Sequence, residues 1–217
     1  MLIVEDHELL AQSLSFALRA EGLGAALVMS DSAEAILAAQ REHEAQVVLL
    51  DLDLGVFGSS VQLIEPLRAG GANVVMLTGA TDRIRLAECL EAGAVGIVAK
   101  SAPFDELVIA VRRAVSETAL MSAHERATLL DELRRHRAAE RASHEPFERL
   151  TGREGEILDA LIDGRQAEAI AQDSFVSVAT VRSQIRSVLM KLGVNSQLAA
   201  VALARRAGWR SGRTNDR

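Results

Sequence analysis

The stretch VVLLDLDLG, residues 47–55, sets the fold. Four consecutive apolar residues read as a strand buried on both faces, the mark of a parallel sheet covered by helices. The run ends in two aspartates one residue apart, Asp51 and Asp53. Carboxylates are costly to bury without a partner, so the strand must deliver them to an edge where something meets them. The two aspartates are not expected to share a role.

Working outward, similar apolar runs occur at LIV (2–4), GAALV (24–28), NVVML (73–77) and AVGIVA (94–99). Helix-period segments separate them, at about 7–20, 32–43, 59–69, 82–92 and 104–116. In the first, Leu10, Leu14 and Leu18 fall on one helical face. Five such units predict an α/β fold, a flavodoxin-like doubly wound five-stranded parallel sheet, with function at the carboxyl ends of its strands. Those ends carry Glu5 and Asp6, then Asp51, Thr78 and Lys100.

The rest of the chain changes character. Residues 119–145 are rich in Ala, Arg and Glu and contain no Gly or Pro. Asp131–Arg135 and Arg141–Glu145 are i, i+4 charge pairs, and Leu130 and Leu133 give a short apolar stripe, so a charged linker helix is predicted. Its histidines, His124, His136 and His144, have no metal-ligand spacing. After Pro146 comes a small all-α segment punctuated by Gly164 and Gly193. The expected division is 1–118, a linker 119–146, a helical domain 147–208, and a frayed polar tail 209–217.

Charge follows the same division. The net charge of −6 over 217 residues combines 17 acids and 8 bases in residues 1–118 with 8 acids and 11 bases in residues 147–217. From Ser174 onward there are 8 bases and 1 acid, so polyanion binding is expected at the end of the chain. No run is apolar enough for a membrane span, and the start lacks the order of a signal peptide. A single cysteine, Cys89, permits no internal disulfide and fits a reducing cytoplasm.

Several acids gathered at one edge raise one another's pKa unless a cation joins them. Oxygen donors suit a hard ion such as Mg²⁺. A carboxylate nucleophile, an ammonium and a hydroxyl beside it suit phosphoryl transfer, with Asp51 attacking, Lys100 neutralising oxygens and Thr78 donating a hydrogen bond.

On these residues the segment 2–116 resembles a response-regulator receiver domain. The resemblance implies Asp51 as phosphoacceptor and Glu5 and Asp6 as the acidic pair, with Asp6 the direct Mg²⁺ ligand. It gives Asp53 a backbone-carbonyl role at the metal. The sequence departs from the family pattern at Gly55, where a Pro-Gly turn is usual, and at Ile97, where an aromatic residue is usual. The family also carries a few more residues ahead of the first strand than Met1 leaves here. A rival reading of DLDLG is the aspartate pair of haloacid dehalogenase-like phosphatases, acting through Asp51 and Asp53. In those enzymes the pair follows the first strand, whereas here two strands and an acidic pair precede it.

In the basic end, helices are predicted at about 152–163 and 167–173. Ser177, a good N-cap, opens a third from Val178 to Leu192. Val178, Val181, Ile185, Val188, Leu189 and Leu192 form one arc of that third helix. Ala179, Arg182, Ser183, Arg186 and Met190 form the other, with Gln184 on the flank. Two arginines one turn apart beside small residues suit a helix laid in the major groove of DNA. The pattern Leu150-Thr151-x-Arg153-Glu154, Ile170-Ala171, Ser177-x-x-Thr180-Val181-Arg182 and Lys191-Leu192-Gly193-Val194 resembles the LuxR-type helix-turn-helix.

With the receiver this implies the NarL/FixJ class of response regulator: a cytoplasmic two-component protein, not an enzyme, phosphorylated by a sensor histidine kinase. It would bind double-stranded DNA as a homodimer through Ser177, Thr180, Arg182, Ser183, Gln184, Arg186 and Lys191, with dimerisation through a last helix, 196–207. The alternative within the same architecture is an atypical regulator controlled by ligand or protein contacts.

Overall fold

The structure, a computed structural model, describes residues 1–30, 32–55 and 58–211. The chain divides into two units, Met1–Arg134 and Arg135–Arg217.

In the first unit the order is β1 (Leu2–Val4), α1 (Glu8–Ala20), β2 (Ala26–Val28), α2 (Ala33–Glu42) and β3 (Val47–Asp51). There follow the short strands β4 (Asp53–Leu54) and β5 (Gly58–Ser59), then α3 (Val61–Ala69), β6 (Asn73–Thr78), α4 (Arg83–Glu91), β7 (Gly96–Ala99) and α5 (Phe104–Val115). β3 is buried along its length at the centre of a parallel sheet of order β2-β1-β3-β6-β7. The predicted α/β class and its five main strands are therefore present. The two-residue hairpin β4–β5 was not foreseen.

Strand alternation separates two cores. Leu2, Val4, Val48, Leu50, Val74 and Met76 pack with Ile36 of α2 and with Leu63, Ile64 and Leu67 of α3. Ile3, Val47, Leu49, Val75 and Leu77 pack on the other face with Leu18 of α1 and with Leu107, Val108 and Val111 of α5. Each fully buried Leu, Ile or Val contributes about 1.5–3 kcal/mol, so register is strongly specified. Cys89, on α4, lies in the first of these cores, where burial pushes its thiol up to about 12.

The long helix α6 runs Ala123–Glu148. Its first turns belong to the first unit: Leu129 and Leu133 pack on Ala87 and Leu90 of α4, with Ile97 of β7 and Leu130 against the same cluster. Arg126 donates to the carbonyls of Ala94 and Leu90, and Glu132 pairs with Arg83. The expected boundary at 118 thus falls inside a packed unit that extends to Arg134, because the stripe of α6 has α4 to cover it. Nor does the helix stop before Pro146. It continues to Glu148 and buries Phe147.

The second unit adds α7 (Gly152–Ile162), α8 (Ala167–Asp173), α9 (Val178–Lys191) and α10 (Gln197–Arg206). Phe147, Ile157, Leu158, Leu161, Ile170, Val181, Ile185, Val188, Ala200 and Ala204 form its core. The expected frayed tail does not begin at 209. Trp209 stacks on Phe147 with centroids 5.1 Å apart, Arg210 pairs with Asp163, and the Ser211 amide donates to Asp159. The remainder of that predicted tail, 212–217, lies outside the described residues.

Candidate functional site

Register places the predicted acidic site at one edge. Val4 pairs with Leu50, Asp51 with Leu77, and Thr78 with Ala99. Glu5, Asp51, Thr78 and Lys100 therefore leave four adjacent strands at nearly the same level. Glu5, Asp51 and Thr78 are all buried. Lys100 bridges the two carboxylates, with its Nζ 2.7 Å from Glu5 Oε2 and 2.8 Å from Asp51 Oδ2. The second contact is a hydrogen bond. The first is a short ion pair to a fully buried oxygen.

The electrostatics follow from that crowding. Burial, reinforced by the charge of Glu5 and only partly opposed by Lys100, holds Asp51 above the ordinary aspartate range. Burial would also raise Glu5, but Lys100 and the backbone and ring of His7 outweigh it and keep Glu5 low. Lys100 loses to burial and gains more from Asp51 and Glu5, so its pKa rises. The pair of buried acids thus splits into an ionised Glu5 and a strained Asp51.

Asp6 stands beside them, half-exposed. Glu5, Asp6, His7 and Asp51 can each aim one ligand atom into a common point, all within 4.8 Å of one another. His7 is a member that the sequence reading missed. Its Nδ1 lies 2.9 Å from Glu5 Oε1 and 2.8 Å from Asp6 Oδ1, and these acids raise its pKa. A cluster of carboxylate oxygens fits a hard divalent ion.

In the loop after β3, Gly55 takes a left-handed backbone. At φ +38° a side chain would strain the backbone there, and its Cβ would lie 2.8 Å from Asp6 Oδ2, so the Asp6 carboxylate would have to move. Asp53 does separate from Asp51: its amide donates to Asp51 Oδ1 at 3.3 Å, while its carboxylate takes Arg85 of α4 at 2.5 Å. Buried Ser60, also missed, donates its hydroxyl to the Asp51 carbonyl at 2.5 Å and ties the loop down. Thr78 Oγ1 accepts from the Ala80 amide at 2.9 Å.

In the second unit α9 presents the predicted face. Val181, Ile185 and Val188 are buried; Ala179, Thr180, Arg182, Ser183, Arg186 and Met190 are exposed. Ser177 caps the helix, accepting from the Thr180 amide at 3.0 Å, and its hydroxyl shares a 2.8 Å hydrogen bond with that of Thr180. Arg182 pairs with Glu168 of α8 at 2.8 Å. Arg186 forms no ion pair among the described residues.

Two predicted contacts sit differently. Gln184 is half-buried, with its amide oxygen enclosed and without a donor. Lys191 lies 2.6 Å from Glu154 Oε2, inside a network that sequence reading did not anticipate. Glu154 closes a capping box with Thr151 at the start of α7 and also accepts from Ser187 at 2.6 Å. Burial would raise this carboxyl, but Lys191, Ser187 and Thr151 together hold it at about 2.

Comparison with known proteins covers both units. Residues 1–112 match the model of the response regulator receiver domain, and residues 148–204 that of the bacterial regulatory proteins, luxR family. The transcriptional regulatory protein LiaR of Bacillus subtilis is 29% identical over 213 residues, covering 95% of this chain and 96% of that protein. The nitrate/nitrite response regulator protein NarP of Escherichia coli is 31% identical over 206 residues, 94% of this chain and 93% of that protein. Full-length FixJ from B. japonicum is a similar solved structure, at 23% identity and TM-score 0.48, covering 95% of this chain and 96% of its own. The chain belongs to the NarL/FixJ class of two-component response regulators, a receiver domain followed by a LuxR-type DNA-binding domain that serves transcription regulation.

Proposed function

We propose that a sensor histidine kinase phosphorylates this regulator on Asp51 and that the modification tunes dimerisation and DNA binding. The observation that carries the reading is the Lys100 ammonium held between Glu5 and Asp51 at the sheet edge. An Asp51 oxygen attacks phosphorus, the bond from phosphorus to the donor's leaving atom breaks, and an acyl phosphate forms on Asp51. Lys100 is placed to keep one Asp51 oxygen paired while the other attacks. The Thr78 hydroxyl, held by the Ala80 amide, offers its proton to the incoming phosphoryl group. Asp6, Glu5, Asp51 and the Asp53 carbonyl are the residues that would hold Mg²⁺. That ion, when bound, neutralises both the carboxylates and the phosphoryl oxygens.

At the other end we assign Arg182, Ser183 and Arg186 to the major groove, with Ser177 and Thr180 at the phosphates beside the helix start. Lys191, paired with Glu154, and half-buried Gln184 are assigned to supporting α9 rather than to touching DNA. No described helix is long and apolar enough to cross a membrane. We place the protein in the cytoplasm, as a homodimer on DNA.

Acetyl phosphate with Mg²⁺ should add one phosphoryl group by intact mass, and Asp51→Asn should abolish the addition. A mass shift that persists in that variant defeats the assignment. A second reading, control by contacts without phosphorylation, is favoured by Ile97, which packs against the cluster joining α4 to α6 instead of presenting an aromatic ring. In that case Asp51→Asn would leave regulated DNA binding intact.

A further inference from the structure

The four helices that follow α6 end in one backbone motif. In α7, α9 and α10 the residue after the C-cap is a glycine at positive φ: Gly164 (+79°), Gly193 (+67°) and Gly208 (+60°). The next amide in each case reaches back five residues, Arg165 to Ala160, Val194 to Leu189 and Trp209 to Ala204. α8 closes the same way, with the Val176 amide on Ala171 at 3.1 Å and the Phe175 amide on Gln172 at 3.2 Å. Here, however, the left-handed residue is Phe175, with φ +54°.

That position suits glycine because a Cβ is crowded there, and phenylalanine has no polar group to offer a local compensating bond. Nor does the ring pack: Phe175 is 96% exposed. In the receiver domain, Glu44 (+44°) and Glu117 (+53°) also take left-handed φ without being glycine, but a carboxylate in water leaves no large apolar surface bare. Phe175 combines both penalties, a strained backbone and an unburied phenyl ring. Neither is offset inside the folded domain, so the benefit must lie outside it.

Location decides what lies outside. Phe175 precedes by two residues the Ser177 cap of α9, whose exposed face carries Ala179, Arg182, Ser183 and Arg186. A duplex seated on the first turns of that helix meets this turn at the groove edge. We propose that Phe175 contacts DNA, its ring packing on a deoxyribose or a thymine methyl beside the bases faced by α9. Such apolar contact complements the arginines without adding charge. The proposal rests on the assignment of α9 to the major groove.

The test uses the full chain and a duplex that the chain itself enriches from a random-sequence library. Phe175→Gly removes ring and strain together, so the domain should melt at a higher temperature while affinity for that duplex falls by about tenfold. The salt dependence should keep its slope, since no cation was removed. Phe175→Ala should lose the same affinity without the gain in melting temperature. Unchanged affinity in both variants overturns the proposal. If affinity holds while transcription by purified polymerase from a template bearing the duplex drops, the ring meets a protein, and the proposal is again overturned. A parent chain that enriches no duplex would sink the assignment of α9 as well, an outcome distinct from normal binding by the variants.

Discussion

The chain has two lysines, one in each domain, and each ends on a buried carboxylate. Lys191 meets one acid, Glu154, whose remaining lone pairs are taken by Ser187, the Thr151 amide and the Thr151 hydroxyl. Lys100 meets two, Glu5 at 2.7 Å and Asp51 at 2.8 Å, so one cation is shared between two buried acids. The satisfied acid is held at about 2, whereas Asp51 sits above its ordinary range. The same pair of residue types therefore does opposite work. One joins α7 to α9, and the other lies between two crowded carboxylates of which one is held above its ordinary range.

The comparison can be broken at either lysine. Lys100→Met should slow phosphorylation of Asp51 by acetyl phosphate roughly 10²–10³-fold, as loss of a preorganised cation does. An unchanged rate would remove Lys100 from the chemistry. Lys191→Met should leave phosphorylation alone and destabilise the DNA-binding domain by roughly 2–3 kcal/mol, because Glu154 keeps its burial and loses its cation. Trp209, the only tryptophan and stacked in that domain, reads the transition by fluorescence. A melting curve that does not move would make the tie ornamental.

A smaller effect concerns the arginines. Arg186→Ala should weaken DNA binding about tenfold and lower the salt slope by about one. Arg182→Ala should do less in net terms, since Glu168 competes for that guanidinium. Equal losses would mean that Glu168 releases it at no cost.

Smallest, and opposite in sign between the domains, is the dependence on pH. Glu154 is depressed from 4.5 to about 2, so its contribution is present above 4.5 and lost as pH falls toward 2. Asp51 is raised, so the folded state binds its proton more tightly. Its ionised form therefore opposes folding above the raised value, and the penalty fades as pH falls through it. In chelator at neutral pH, Asp51→Asn should stabilise the receiver domain while Glu154→Gln destabilises the other. Two shifts of the same sign would contradict the contrast.

Much of this was legible in the sequence. The VVLL run and its four counterparts located the strands, and residues just beyond the strand ends had to converge whatever the loops did. The face of α9 followed from Val181, Ile185 and Val188 recurring at helical spacing. What escaped was set by partners distant in the chain. Glu154 finds Lys191 37 residues away, and Arg85 finds Asp53 32 residues away; no local pattern encodes either. The linker was bounded at 146, and no local pattern shows that its helix runs on through Pro146 to bury Phe147. Trp209 looked like part of a loose polar tail, because the ring it stacks on, that of Phe147, lies far earlier in the chain.

The burial of Cys89 has a practical corollary. It is the only thiol in the chain, sealed in the receiver core with its pKa pushed to about 12, so alkylating reagents find almost no thiolate to attack. Labelling can proceed only through openings of that core, and its rate counts them. With Trp209 reporting on the other domain, the wild-type protein arrives already carrying one probe per domain. Whether charging Asp51 tightens or loosens the receiver could be timed with a thiol reagent and no engineered label.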